Sequence, residues 1–332
     1  MKTAILKFAD KLNLYPLFNP FTRNTATVFM LHSIAPGPND YGALPAGTLR
    51  DLLRYLKDNN YRVISLSEYV SAIIHERETY KTVVFTVDDG YRDFYLHAFH
   101  IFKEFGYPAT IFITSDFIEK RMFMWWDAFV YCFINTKLDE IDLSDLDMGK
   151  IRLTDPHQRA SVAVAATRYC KKQPHIRKLE LIDIVLDKLD VDISRQPQGI
   201  YEPLSWPEIK EMHQGGIEFH PHTKTHPIIS KVTREQKIVE IEEPKRILES
   251  QLNDRADIFC YPNGQAEDFD EETIEILKKA GYIAAVTGIP GFDNTKKHPD
   301  LFRLSRYAIP DRLIIFKQYV SGLEVFKTRI RI

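Results

Sequence analysis

Two carboxylates side by side, Asp88 and Asp89, and two imidazoles four residues apart, His222 and His226, are the groups in this chain best suited to chemistry. The aspartates follow the apolar run Val83-Val84-Phe85 and precede Gly90, as at the end of a buried strand where a sharp turn has no room for a side chain. Successive residues at a strand end point different ways, so one aspartate can bind a metal while the other faces a substrate. By itself, Asp-Asp-Gly fits a surface turn equally well. Two imidazoles at this spacing share a face if the backbone is helical, and can then hold one ion. Two histidines and a carboxylate leave coordination positions open for water and substrate. Asp89, His222 and His226 would make that set, leaving Asp88 as a base.

Such groups need a scaffold, and the flanking sequence supplies one. Residues 26–34 form a mainly apolar run with His32 near its end, which reads as a buried parallel strand. Leu49, Leu52, Leu53 and Leu56 then mark one face of a helix over 48–57. A strand over 61–66, a helix capped by Ser67, the Asp-Asp-Gly strand over 82–88, a helix over 94–105 closed by Gly106 and a strand over 109–114 follow. After residue 204 the alternation resumes, with helices over 206–214, 233–252 and 271–280 and strands over 217–221, 258–261, 283–286 and 304–309. This is the pattern of βα units on a parallel sheet. No G-x-G-x-x-G follows the first strand, so a dinucleotide site is disfavoured and a barrel fits better than an open sheet. Residues 119–203 break the pattern as a helical insertion that carries Met122-Phe-Met-Trp-Trp-Asp127. Inserted at a strand's carboxyl end, it would lie beside the active site. There Trp125 or Trp126 would either stack on a sugar face or fill a core.

The chain resembles a known family at the same residues. Thr86-Val-Asp-Asp-Gly90 matches T-F-D-D-G with Val in place of Phe, and His222-Thr-Lys-Thr-His226 matches H-[S/T]-x-x-H. On these motifs it resembles the polysaccharide deacetylases of the NodB-homology group, carbohydrate esterase family 4, and most of all the exopolysaccharide de-N-acetylase subgroup. The resemblance implies a distorted (β/α)7 barrel and metal-dependent removal of N-acetyl groups from an amino sugar. The divalent ion would be Zn2+, with Co2+, Ni2+ or Fe2+ suited to the same ligands. Phe259-Cys-Tyr-Pro-Asn-Gly264 resembles the family's third motif, which implies that the backbone N–H of Tyr261 binds the oxyanion and that Asn263 touches substrate. Thr223 and Thr225 would orient the histidines. The family's later L-x-H motif is missing, since the chain has Leu301-Phe-Arg-Leu-Ser-Arg306 there. The subgroup carries a histidine after its first strand instead, which implies His32 as general acid. Arg306 would pair with Asp88 to steer its pKa, or form a purely structural salt bridge.

Composition bounds the rest. The formal net charge of −2 offers no footprint for nucleic acid, and no run of 18 apolar residues is long enough to span a membrane. Three cysteines and an N-terminus without signal-peptide features suit a reducing, cytoplasmic setting in a bacterium. Ile5, Phe8, Ala9 and Leu12 sit at helical spacing between lysines, as in a packed helix or one making weak membrane-surface contact. Pro16 and Pro20 would then begin a linker. The expected division is residues 1–24 as helix and linker, 25–118 with 204–315 as the barrel, 119–203 as the insertion and 316–332 as a tail. The expected partner is an N-acetylated sugar in a glycan or glycan precursor. The alternatives are a weak or inactive glycan-binding relative, or an amidohydrolase acting on a non-sugar amide.

Overall fold

The computed structural model describes residues 10–38, 42–193, 197 and 199–330. The strands of its barrel are β1 (Thr27–Leu31), β2 (Arg62–Val63), β3 (Thr82–Val87), β4 (Ala109–Ile113), β5 (Ile217–Pro221), β6 (Ile258–Cys260), β7 (Ala284–Val286) and β8 (Tyr307–Ala308). One sheet runs β8-β1-β3-β4-β5, all parallel, with β2 beside the start of β3. The β6-β7 pair is also parallel. Leu304 bridges to Val286 while Tyr307 pairs with Phe29, so residues 304–308 join β7 back to β1. The ring therefore has seven staves: β1, β3, β4, β5, β6, β7 and 304–308. Between β5 and β6 no ladder forms among the described residues, although the strands lie side by side. Imidazoles of β5 and the loop after it reach across this seam, His220 Nδ1 accepting from Ile258 N–H at 3.5 Å and His222 Nδ1 donating to the Cys260 carbonyl at 2.8 Å.

Strand alternation divides the core into two layers. Val28, Val84, Phe112, Ile258, Cys260, Ala284, Val286 and Leu304 form one cluster inside the ring. Phe29, Phe85, Val87, Ile111, Ile217 and Phe219 face outward onto helices. Among these helices are α1 (Ala46–Asp58) and α3 (Phe99–Phe105), whereas α2 (Leu66–Ile74) packs Leu66, Tyr69, Val70 and Ile73 against the inner cluster. The four leucines of α1 are fully buried, each contributing roughly 1.5–3 kcal/mol. The strand expected over 61–66 shortens to β2 because α2 starts early. Ser65, not Ser67, caps α2, its hydroxyl accepting from Glu68 N–H.

The insertion holds α4 (Trp125–Asn135), α5 (Pro156–Lys171) and α6 (His175–Leu189) around a core of its own, with Phe129, Phe133, Ala163, Cys170 and Val185 at its centre. It also contains an antiparallel pair, Glu140–Asp142 with Lys150–Arg152, that the periodicity did not announce. After it come α7 (Trp206–Gln214), α8 (Arg234–Leu252), α9 (Glu271–Lys279), α10 (Leu313–Val320) and α11 (Leu323–Ile330).

Both chain ends correct the expected division. Residues Tyr15–Thr22 form a 3-10 helix rather than a linker, and Phe18 and Phe21 pack on Phe326 with ring centroids 5.5 and 5.0 Å apart. Phe316 and Val320 enter the outer core, with Phe316 stacked on Phe29 at 5.0 Å. Phe316 and Val320 of α10 thus pack on the barrel, while Phe326 of α11 packs on the 3-10 helix. Ile5, Phe8 and Ala9 lie outside the described residues, and Leu12 is exposed.

Candidate active site

The proposed residues converge where the staves end. Val84, Thr86 and Asp88 share one parity, so Asp88 continues the inward face of β3. Asp89 then turns the chain at φ +75°, followed by Gly90 at +91°. A Cβ on Gly90 would stand 3.0 Å from Ile113 Cγ2 and Ile118 Cδ1, so the turn excludes a side chain on both grounds.

The histidine motif is a loop, not the helical turn its spacing suggested. Thr223 and His226 adopt φ of +66° and +57°, unfavourable values that the surroundings must enforce. Thr223 Oγ1 accepts from His226 N–H at 3.0 Å. The Glu240 carboxylate of α8 takes three bonds from the loop: Lys224 N–H and Thr225 N–H at 2.8 Å and Thr225 Oγ1 at 2.6 Å. Thr223 and Thr225 do position the histidines, but through the backbone. The carboxylate that anchors them was not visible in the motif.

This folding places His222 Nε2 3.5 Å and His226 Nε2 3.4 Å from Asp89 Oδ1, all three side chains being buried. Among the described residues Asp89 Oδ1 has no hydrogen-bond partner. The separations exceed the 2.7–2.9 Å of a charge-assisted hydrogen bond, whereas two ligands roughly 2.1 Å from one tetrahedral ion stand about 3.4 Å apart. His222 donates through Nδ1, which leaves its Nε2 lone pair facing Asp89. Burial, and then its neighbour His226, push His222 down to about 4, so its imidazole is neutral as a ligand must be. Burial opposes ionisation of Asp89, yet the surrounding imidazoles hold its carboxyl well below the usual range. The three residues fit a divalent ion.

A second grouping, Asp88 with His222 and Cys260, does not. The Arg306 guanidinium already lies there, with its Nη2 3.1 Å from Cys260 Sγ and 2.9 Å from Asp88 Oδ2. Burial also keeps the Cys260 thiol protonated by raising its pKa. Arg306, 1% exposed, completes a bidentate pair through Nη1 to Asp88 Oδ1 at 2.7 Å and also donates to Thr86 Oγ1 and the Thr287 carbonyl. Burial alone would raise the Asp88 pKa, but Arg306 outweighs it and holds the carboxyl below its usual range. His32 sits across the opening, half exposed, with Nε2 4.0 Å from Asp88 Oδ2.

A cavity of about 310 Å3 joins these groups, and its lining adds Trp126, Lys171, Asn263 and Gln265. The two tryptophans divide. Trp126 borders the cavity, its ring edge-on to His226 at 4.8 Å and its Nε1 donating to Tyr91 Oη at 3.1 Å. Trp125 packs in the insertion's core against Phe129. Tyr91 in turn donates to Asp127 at 2.6 Å, so the first turn of α4 is tied to the loop after Asp89. Tyr261 departs from its expected role. Its backbone N–H points to the Val286 carbonyl at 3.3 Å, its hydroxyl donates to the Phe302 carbonyl and its ring stacks on Phe269. Register with β7 therefore takes the amide that was expected at the oxyanion. Lys171, Gln265, Tyr91 and Asp127 were missed because no local motif marks them.

The fold is that of NodB-like deacetylases. A deacetylase from Streptococcus pyogenes, PplD, superimposes with a TM-score of 0.60 at 19% identity, covering 92% of this chain and 98% of that one. IcaB from Ammonifex degensii gives 0.57 at 15% identity, covering 90% and 97%. In sequence, "Putative polysaccharide deacetylase YxkH" of Bacillus subtilis is 22% identical over 265 residues, 80% of this chain. The chain spans 64% of that relative's length. The polysaccharide deacetylase family model matches residues 75–285, and the chain belongs to that family.

Proposed function

We propose that this protein is a metal-dependent hydrolase that removes acetyl groups from an N-acetylated amino sugar, with Zn2+ as the ion. The observation that carries this reading is the orphaned Asp89 Oδ1 between two imidazole nitrogens, next to a second carboxylate that the fold keeps ionised. A divalent ion held by Asp89, His222 and His226 supplies Lewis acidity to the amide carbonyl and to water. Asp88 takes a proton from the attacking water, and Arg306 holds its two oxygens in place for that transfer. His32, across the cavity, delivers a proton to the departing nitrogen. Water adds to the carbonyl carbon, the C–N bond breaks, and the products are acetate and the free amine. Trp126 offers an aromatic face to the sugar and closes one side against water. The solved Streptococcus pyogenes relative is a complex with acetate, which fits this product.

The test joins metal analysis with acetate release from N-acetylhexosamine oligomers. The wild type binds about one Zn2+ per chain and releases acetate. Asp88→Asn keeps the ion and lowers turnover by on the order of 10²–10⁴, and His222→Ala loses the ion. Because Asp88→Asn leaves Arg306 buried without its counter-charge, His32→Gln serves as a second variant that is free of that strain. A purified, folded wild type that takes up no divalent ion would sink the reading.

A further inference from the structure

Among the described residues two lysines are almost completely buried, and they differ in kind. Lys237, 2% exposed, sits between carboxylates, Asp270 at 2.6 Å and Glu272 at 2.9 Å. Lys178 of α6, 3% exposed, has no carboxylate within ion-pair distance among the described residues and rests over the Trp125 ring at 5.6 Å. A buried cation without a counter-charge is costly. Two more ammonium groups crowd it, Lys231 and Lys171, and both press its pKa down. Lys231 Nζ donates at 3.4 Å to the carbonyls of Lys171 and Gln173, which ties the end of α5 to the barrel. Lys171 borders the active-site cavity, its Nζ 5.9 Å from the Trp126 ring centroid. The carboxylates whose fields reach Lys171 are Asp89 and Asp268. Asp89 belongs to the ion-binding set, and Asp268 accepts from Gln265 N–H at 2.9 Å. Three positive side chains thus converge from α5, α6 and the turn after β5 behind the wall of the cavity where a sugar would stack, and outside the ion-binding set the carboxylate whose field reaches Lys171 and Lys231 is Asp268.

Resting on the deacetylase reading above, we infer that the cavity is built for an acetamido sugar carrying a negative charge, a phosphate ester or a neighbouring uronate, which Lys171 contacts and which Lys178 and Lys231 support. Such a group would add negative charge where Lys171 and Lys231 share the carboxylate of Asp268. It would also fix the register of the sugar, because only one orientation puts the acetamide at Asp88 and the anion at Lys171. The insertion then sets substrate choice, while the barrel holds the reacting groups.

The test uses the zinc-loaded full chain with three substrates: an N-acetylglucosamine oligomer, N-acetylglucosamine 1-phosphate, and a disaccharide of N-acetylglucosamine with glucuronate. The readout is kcat/KM for each anionic substrate relative to the neutral one. The expected ratio is about tenfold or more in the wild type, carried by KM, and it collapses in Lys171→Ala and returns in Lys171→Arg. Lys178→Met keeps the buried stem and should lose part of the ratio. The ion remains in every variant, so any anion–metal contact cancels in the comparison. Preference for the phosphate alone, or for both anions, tells the two sources apart. A ratio near one in the wild type, or a preference that survives Lys171→Ala, overturns the inference. If no substrate releases acetate, the deacetylase reading fails instead. Calorimetric binding of N-acetylglucosamine 1-phosphate against N-acetylglucosamine, in wild type and Lys171→Ala, then still decides the anion site.

Discussion

The groups at the stave ends and the groups from the insertion face the same cavity but are held in opposite ways. Arg306 makes four kinds of bond at once, Asp88 is gripped through both oxygens, and the histidine loop hangs on three bonds to Glu240. Lys171, by contrast, approaches the cavity over the Trp126 ring, with the carboxylates of Asp89 and Asp268 acting on it through space rather than through an ion pair. The groups proposed to react are over-determined, and Lys171, proposed to recognise substrate, is held by no ion pair among the described residues. Bond-making geometry tolerates little displacement, so it is built on strands and buried ion pairs. Recognition of a variable substrate needs unsatisfied groups that the ligand itself completes.

That contrast breaks most sharply at Arg306. Arg306→Met leaves Asp88 buried without its partner, and loss of one member of a buried pair costs about 3–5 kcal/mol. A large fall in melting temperature is expected, together with loss of turnover. If thermal scans find the variant as stable as wild type, the stave ends are not over-determined. Glu240→Gln is the next largest. It removes the charge that receives three loop bonds while keeping the shape, so affinity for Zn2+ should fall by roughly 10–100-fold, read by chelator competition. An unchanged affinity would mean that the loop holds its histidines without α8.

The same contrast explains what could be read in advance. Asp88, Asp89, His222 and His226 are legible because strand period and short spacing encode them locally. The strands are legible for the same reason, as short apolar runs, but the periodicity offered eight of them, and seven staves followed only from the family resemblance. Glu240, Lys171 and Gln265 are not, because they reach the site from separate elements whose approach depends on the complete fold. Tyr261 misled because a motif records a residue type, while the fate of its amide is set by pairing with Val286, which the motif does not contain. The His-x-x-x-His spacing suggested a helix, but positive φ at Thr223 and His226 produces the same convergence from a loop. The aromatic stretch at the start of α4 left two candidates, and only packing separates Trp126 from Trp125.

The tryptophan pair sharpens the comparison further. Trp126→Leu should raise KM for an oligomeric substrate by several-fold, since stacking on one aromatic face is worth on the order of 1 kcal/mol. Trp125→Leu should instead lower the melting temperature, because it removes core volume from the insertion. Identical effects from the two variants would erase the distinction between recognising and structural residues.

The smallest effect tests the joint between the two regions. Asp127 lies at the foot of α4, accepting from Tyr91 at 2.6 Å, and burial, partly offset by that hydrogen bond, raises its carboxyl to about 7. A carboxyl whose pKa is higher folded than unfolded binds more protons in the native state. It therefore favours folding below its unfolded value near 4 and opposes it progressively as pH rises toward 7. Asp127→Asn keeps an oxygen for Tyr91 but has no charge to desolvate. Its melting temperature should match wild type near pH 4 and exceed it by on the order of a few degrees at pH 8. Should the two proteins keep the same difference across pH 4–8, the carboxyl does not titrate in that window. The insertion would then be joined to the site by neutral contacts alone.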